Sequence, residues 1–156
     1  MSRGNSTSAS AAQTGSWAGA ATAGDTVTIA SNLSSGDPVQ EIYTAVSGTP
    51  GAFQFQVSTT SGNGAKADQA ANLVTSINAN SLLVTASNGT NGSMTVTSKV
   101  AGAGGNNIGL AVSAHTSFSW GGTFLSGGSG QANLVAFKNL YVNPAGPVSV
   151  PAPLRQ

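Results

Sequence analysis

Phe53-Gln54-Phe55-Gln56-Val57, then Ser61-Gly62-Asn63-Gly64, then AKADQAANLVTSINA over residues 65–79, is the stretch that decides the fold. The first piece alternates apolar and polar side chains, so Phe53, Phe55 and Val57 share one face of a strand. The second is turn chemistry. In the third the period changes: Ala70, Leu73, Val74 and Ile77 fall at i, i+3, i+4 and i+7, one face of a helix over residues 65–79. Lys66, Gln69, Asn72 and Ser76 take its other face, and Asp68 sits in its first turn, where a negative charge suits the helix dipole. No other stretch has this period, so the chain reads as strands around one helix.

Working outward, Thr26-Val27-Thr28-Ile29-Ala30 and Glu41-Ile42-Tyr43-Thr44-Ala45-Val46 are strands, with turn residues 32–38 between them. Beyond the helix come strands at 82–86 and 94–97, joined by the hairpin signal Asn88-Gly89-Thr90-Asn91-Gly92. A glycine-rich loop at 101–107 precedes the alternation of Ile108, Leu110 and Val112, and Phe118, Trp120 and Phe124 give one more strand, interrupted by Gly121-Gly122. The expected fold class is mainly β: a small β-sandwich or open barrel with one packed α-helix (about residues 65–79) and extended N- and C-terminal arms.

The arms are compositional. Residues 1–24 are Ser, Ala, Gly and Thr with a single Trp17, a low-complexity N-terminal arm with Trp17 as its anchor on a partner. Residues 25–125 form the β-rich core domain. Residues 126–156 are a Gly/Ser linker and an extended Pro-rich C-terminal arm, since the prolines from Pro144 onward favour polyproline-like backbone. Val135, Phe137 and Tyr141 lie on one side of a further strand, and Val148, Val150 and Leu154 give the arm apolar groups to bury on its own domain or a neighbour.

Composition narrows the function. Charged residues are 6% of the 156, against roughly 25% in ordinary globular domains, and the formal net charge is +1. No basic patch for nucleic acid and no acidic block for cations follows from that balance. With 39% hydrophobic residues the middle of the chain folds rather than staying disordered. Cysteine is absent, which removes disulfides and thiol chemistry. No apolar run approaches the roughly 20 residues of a membrane span, and the N-terminus lacks a signal-peptide stretch.

The segment from about residue 25 to 112 resembles a module recurrent in bacteriophage tail and head proteins. The resemblance rests on Phe53-Gln54-Phe55, the Ala-rich helix, Leu83-Val84-Thr85-Ala86-Ser87, Met94-Thr95-Val96-Thr97-Ser98 and Ala101-Gly102-Ala103-Gly104-Gly105-Asn106-Asn107-Ile108. It covers somewhat over half the chain and implies a non-enzymatic phage virion structural protein. A short chain with two arms looks most like a capsid decoration (cement) protein, located on the outer capsid surface, whose partners are further copies of itself and the major capsid protein. The alternatives are a tail-tube or tail-sheath subunit and, from another class, a carbohydrate-binding receptor module of a fibre. The resemblance brings no catalytic residues and no cofactor.

Chemistry read from the residues adds little to this. Gly62-Asn63-Gly64-Ala65-Lys66-Ala67 has the G-x-G-x-x-A spacing of a dinucleotide site between strand and helix, but no Asp or Glu follows about 20 residues on to hold a ribose. His115 is the sole histidine, and the carboxylates are Asp25, Asp37, Glu41 and Asp68, with no G-x-S-x-G elbow. That supply is too thin for a transition-metal shell, and Asp37 with Glu41 offers only a partial calcium site. The aromatics read as core and interface packing before they read as a sugar platform. The sequons at Asn5, Asn32, Asn88 and Asn91 read as chance in an Asn/Ser/Thr-rich chain.

Overall fold

Strands here are built largely from Ser, Thr, Ala and Gly, with one large apolar residue every few positions. The computed structural model describes residues 8–32, 38–114 and 116–130. Two four-stranded sheets share one core. The strands are β1 (Ser10–Trp17), β2 (Thr26–Asn32), β3 (Pro38–Val46), β4 (Gln54–Gln56), β5 (Val84–Asn88), β6 (Ser93–Ala101), β7 (Gly109–Val112) and β8 (Phe118–Trp120), and the helix α1 is Asn63–Asn80. The first sheet runs β5-β6-β1-β8, antiparallel throughout. The second runs β4-β3-β2-β7, with β4 parallel to β3 and the other pairs antiparallel. The mainly β class with one helix is therefore as expected.

The period-2 pattern fixes which face of each strand is inside. In β2 and β3 the inward set is Val27, Ile29, Tyr43 and Ala45. In β6 it is Met94 and Val96, and in β1 it includes Ala11 and Trp17. Trp17 of the first sheet meets Phe55 of the second, with ring centroids 5.9 Å apart, and Phe118 at 4.8 Å. Leu73 and Ile77 of α1 complete the centre, both fully buried. Each such side chain contributes about 1.5–3 kcal/mol when withdrawn from water.

An exposed strand edge invites pairing with another chain. Here three of the four edges are covered in part by the chain itself. Along β7, the amide of Leu110 donates to the Thr123 carbonyl and that of Leu125 to the Ile108 carbonyl. Ser126 and Ser129 then bridge back to Ala12 of β1 and to Ala9 just before it. One short segment thus joins the two sheets on that side. On the opposite side α1 lies between β4 and β5 and caps both with side-chain amides. Asn78 Nδ2 donates to the Ala86 carbonyl at 2.9 Å, and its Oδ1 accepts the Ala86 amide at 2.7 Å. Gln69 Nε2 and Asn72 Nδ2 both donate to the Gln56 carbonyl, at 3.0 and 2.9 Å.

Several expectations are corrected. Residues 1–24 are not an arm as a whole, because β1 lies inside the first sheet between β6 and β8. Small side chains permit this. A Cβ on Gly15 would come within 2.7 Å of Trp120 and closer still to the Phe118 ring, so a bare backbone lets both aromatics lie over the strand. Residues 126–130 are no free linker, since they hydrogen-bond to β1. The folded unit therefore extends past 25–125 at both ends. The strand at 53–57 shrinks to β4: Phe53 turns out at φ 53° and packs on Tyr43, ring centroids 5.5 Å apart, so Phe55 is the fully buried one of the three and Val57 packs against the core from its edge. Helix α1 starts two residues earlier than read, which moves Asp68 out of its first turn. Gln69 and Ser76, placed on the solvent face by the pattern, are buried.

Candidate functional site

The side chains proposed to contact a partner divide into two groups. Trp17 is 1% exposed and belongs to the core, not to a partner. The single-Trp arm reading fails because the small residues around Trp17 alternate as a strand, a pattern that hydropathy does not register. Val135, Phe137, Tyr141, Val148, Val150 and Leu154 lie outside the described residues, as do His115 and Asp37.

The polar groups inside the molecule hold its parts together. Glu41 is 3% exposed at the point where α1 hands over to β5. Its carboxylate accepts the Ser81 hydroxyl at 2.6 Å, the Leu82 amide at 2.6 Å and the Tyr43 hydroxyl at 3.1 Å. Ser81 Oγ in turn accepts the amides of Leu83 and Val84, and Lys99 Nζ donates to the Ser81 carbonyl. Burial, reinforced by the Glu41 charge, pushes the Tyr43 phenol well above the ordinary tyrosine value, although the Ser81 hydrogen bond acts the other way. A carboxylate, a serine and a tyrosine sit together here, but Ser81 is sealed from solvent and committed to backbone groups. The cluster is a joint, not a nucleophile with access to substrate. Both Glu41 oxygens accept protein donors, so the partial calcium reading finds no open carboxylate there.

Gln69, fully buried, is a second joint. Its Oε1 accepts the amides of Ala21 and Ser58 while its Nε2 reaches the Gln56 carbonyl, tying the β1–β2 loop, the segment before α1 and the end of β4 to the helix. Asp68 accepts hydrogen bonds from Thr60 and Ser58 just before α1. The Gly62–Ala67 motif makes the turn into α1, with Gly62 at φ 65° and no side-chain cap. Among the described residues no three His, Cys, Asp or Glu side chains gather to hold a metal ion, and no helix is long and apolar enough to cross a membrane.

What the molecule presents outward is more distinctive. Strand register aligns Thr85-Thr97-Ala12, Ser87-Thr95-Thr14 and Ser93-Ser16-Ser119 in rows across the outer face of the first sheet. Thr14 and Thr95 bring their hydroxyls within 3.4 Å. The outer face of the second sheet carries Thr26, Thr28, Ala30, Gln40, Ile42, Thr44 and Ala111. On these two faces the charged side chain is Lys99, at the end of β6. Leu82 and Val100, which lie beyond the Val84–Ser98 pair at the end of the β5–β6 ladder, are 77% and 61% exposed, and Phe124 is 56% exposed. Sequence reading missed these faces because a Ser/Thr strand becomes a surface only once its neighbours are known.

Two clefts flank α1 on the β4 side. One, of about 240 Å³, is lined by Gln54, Gln56, Asn72, Thr75, Ser76 and Asn80 together with Pro50, Gly51 and Ala79. The other, of about 250 Å³, is lined by Gln56, Val57, Ser58, Thr59, Asp68, Ala71 and Asn72. They meet at Gln56 and Asn72. No family model matches the chain, and no curated protein or solved structure matches it.

Proposed function

We propose that this chain is a non-enzymatic structural protein of a bacteriophage particle, and within that class a capsid decoration protein that binds further copies of itself and the major capsid protein on the outer shell. The observation that carries this reading is the pair of nearly uncharged, hydroxyl-bearing sheet faces. A surface of Ser, Thr and Ala can be buried against a neighbour without stranding a charge away from water, whereas a charged face would demand a paired partner for each ion. Its hydroxyls both donate and accept, so they adapt to many neighbours. Exposed Leu82, Val100 and Phe124 add apolar area worth roughly 25 cal/mol per Å² once covered.

Partial cover of the β4, β5 and β7 edges favours decoration over a self-assembling tail tube. Edge-to-edge growth needs unpaired strand backbone, and here the protein's own amides and the residue 123–126 segment occupy part of that backbone on three of the four sheet edges. A lattice supplied by another protein then sets the geometry, and many weak copies act together on it.

Cosedimentation with undecorated phage heads tests the reading. Saturable binding at a fixed copy number per head, with greater resistance of decorated heads to osmotic bursting, is the expected result. Failure to pellet with heads at any protein excess would overturn it.

A further inference from the structure

We propose that the double cleft beside α1 is a binding site for a neutral oligosaccharide, an activity beyond the lattice-binding role. The two lobes join at Gln56 and Asn72 and together follow one side of the helix. The walls are unusual in what they lack. Neither lobe contains a cation or an aromatic ring, so an anionic ligand finds no counter-charge, and the apolar lining is divided into small patches. Four carboxamides line the first lobe: Gln54, Gln56, Asn72 and Asn80. A carboxamide sets an acceptor oxygen beside a two-hydrogen donor, the arrangement that neighbouring hydroxyls of a sugar complement.

Much of this set is held in place by the fold. Asn72 donates through Nδ2 to the Gln56 carbonyl, Asn80 through Nδ2 to the Ser76 carbonyl, and Gln54 Oε1 accepts the Gly51 amide. The opposite ends of these amides carry the remaining hydrogen-bonding capacity. Ser76 lines the first lobe too, with its hydroxyl sealed below the surface and without a hydrogen-bond partner among the described residues. Pro50 and Ala79 in one lobe, and Val57 and Ala71 in the other, give small apolar patches for the C–H faces of two successive sugar rings. Asp68, the charge in the second lobe, disfavours acidic sugars there.

The test titrates the full-length chain with maltotetraose, cellotetraose and chitotetraose, and with sialyllactose as the acidic comparison, following backbone amide shifts by NMR. Saturable shifts confined to residues 50–59 and 68–80 with at least one neutral tetrasaccharide are expected. Thr75→Trp, a change at an exposed helix position that fills the first lobe, should weaken binding at least tenfold while leaving the thermal melt within a few degrees. Asn72→Ala should weaken it similarly, since Gln69 still holds the Gln56 carbonyl. The proposal is overturned if none of the three neutral tetrasaccharides shifts these residues, if sialyllactose binds more tightly than they do, or if Thr75→Trp binds as well as the parent. Phage heads play no part in this titration, so its failure is separate from failure of the decoration reading.

Discussion

Gly15 and Tyr43 show how single residues set the terms of this fold. At Gly15 the aromatic rings of Phe118 and Trp120 occupy the space a side chain would need. Overpacking a core position costs about 1–3 kcal/mol, so Gly15→Ala should lower unfolding stability by at least that much in a denaturant titration. A neutral result would mean that Phe118 does not lie over β1. Tyr43 makes the alkaline limb of stability informative. Its phenol is raised by burial first and by Glu41 second, so the unfolded chain releases this proton before the folded chain does. The stability it confers is complete below the ordinary tyrosine value near pH 10 and is lost as pH rises beyond it, at no more than about 1.4 kcal/mol per pH unit. Tyr43→Phe should therefore flatten the stability curve above pH 10. An unchanged alkaline slope would place the phenol in water.

At the scale of elements, the helix does more than bury an apolar stripe. Its carboxamides substitute for absent neighbouring strands on β4 and β5. Asn78→Ala removes both hydrogen bonds to Ala86 and reopens part of the β5 edge. Each bond contributes about 0.5–1.5 kcal/mol, so a loss of about 1–3 kcal/mol is expected, with concentration-dependent association measured by light scattering as the second sign. Equal stability and a strictly monomeric state would remove edge capping as the role of Asn78. The same element marks how far sequence reasoning reaches. Ala70, Leu73, Val74 and Ile77 announced the helix because their period is a property of α1 alone. The buried roles of Gln69 and Ser76 depend on which loops meet the helix, and no local pattern encodes that. In β1 the inward set runs through Ala11 and Gly15 to Trp17, a strand whose burial comes from smallness and close approach, so it reads as low complexity. The hairpin at Asn88–Gly92 was legible because its backbone demands it: Asn91 and Gly92 both take positive φ, which Asn and Gly tolerate best. The amide-lined cleft was not legible, because its walls come from the β3–β4 loop, β4 and the helix together.

At the scale of the whole molecule, the described residues combine a buried core with two sheet faces that carry almost no charge. Its two polar joints, at Glu41 and Gln69, are occupied by protein partners, while the sheet faces offer hydroxyls in rows and the ends offer Leu82, Val100 and Phe124. Negative-stain imaging of the full-length protein, alone and mixed with undecorated phage heads, is the most direct test. The account predicts added density at regular positions on the heads and dispersed particles when the protein is alone. Tubes or rings formed without heads, or heads that stay bare, would contradict it.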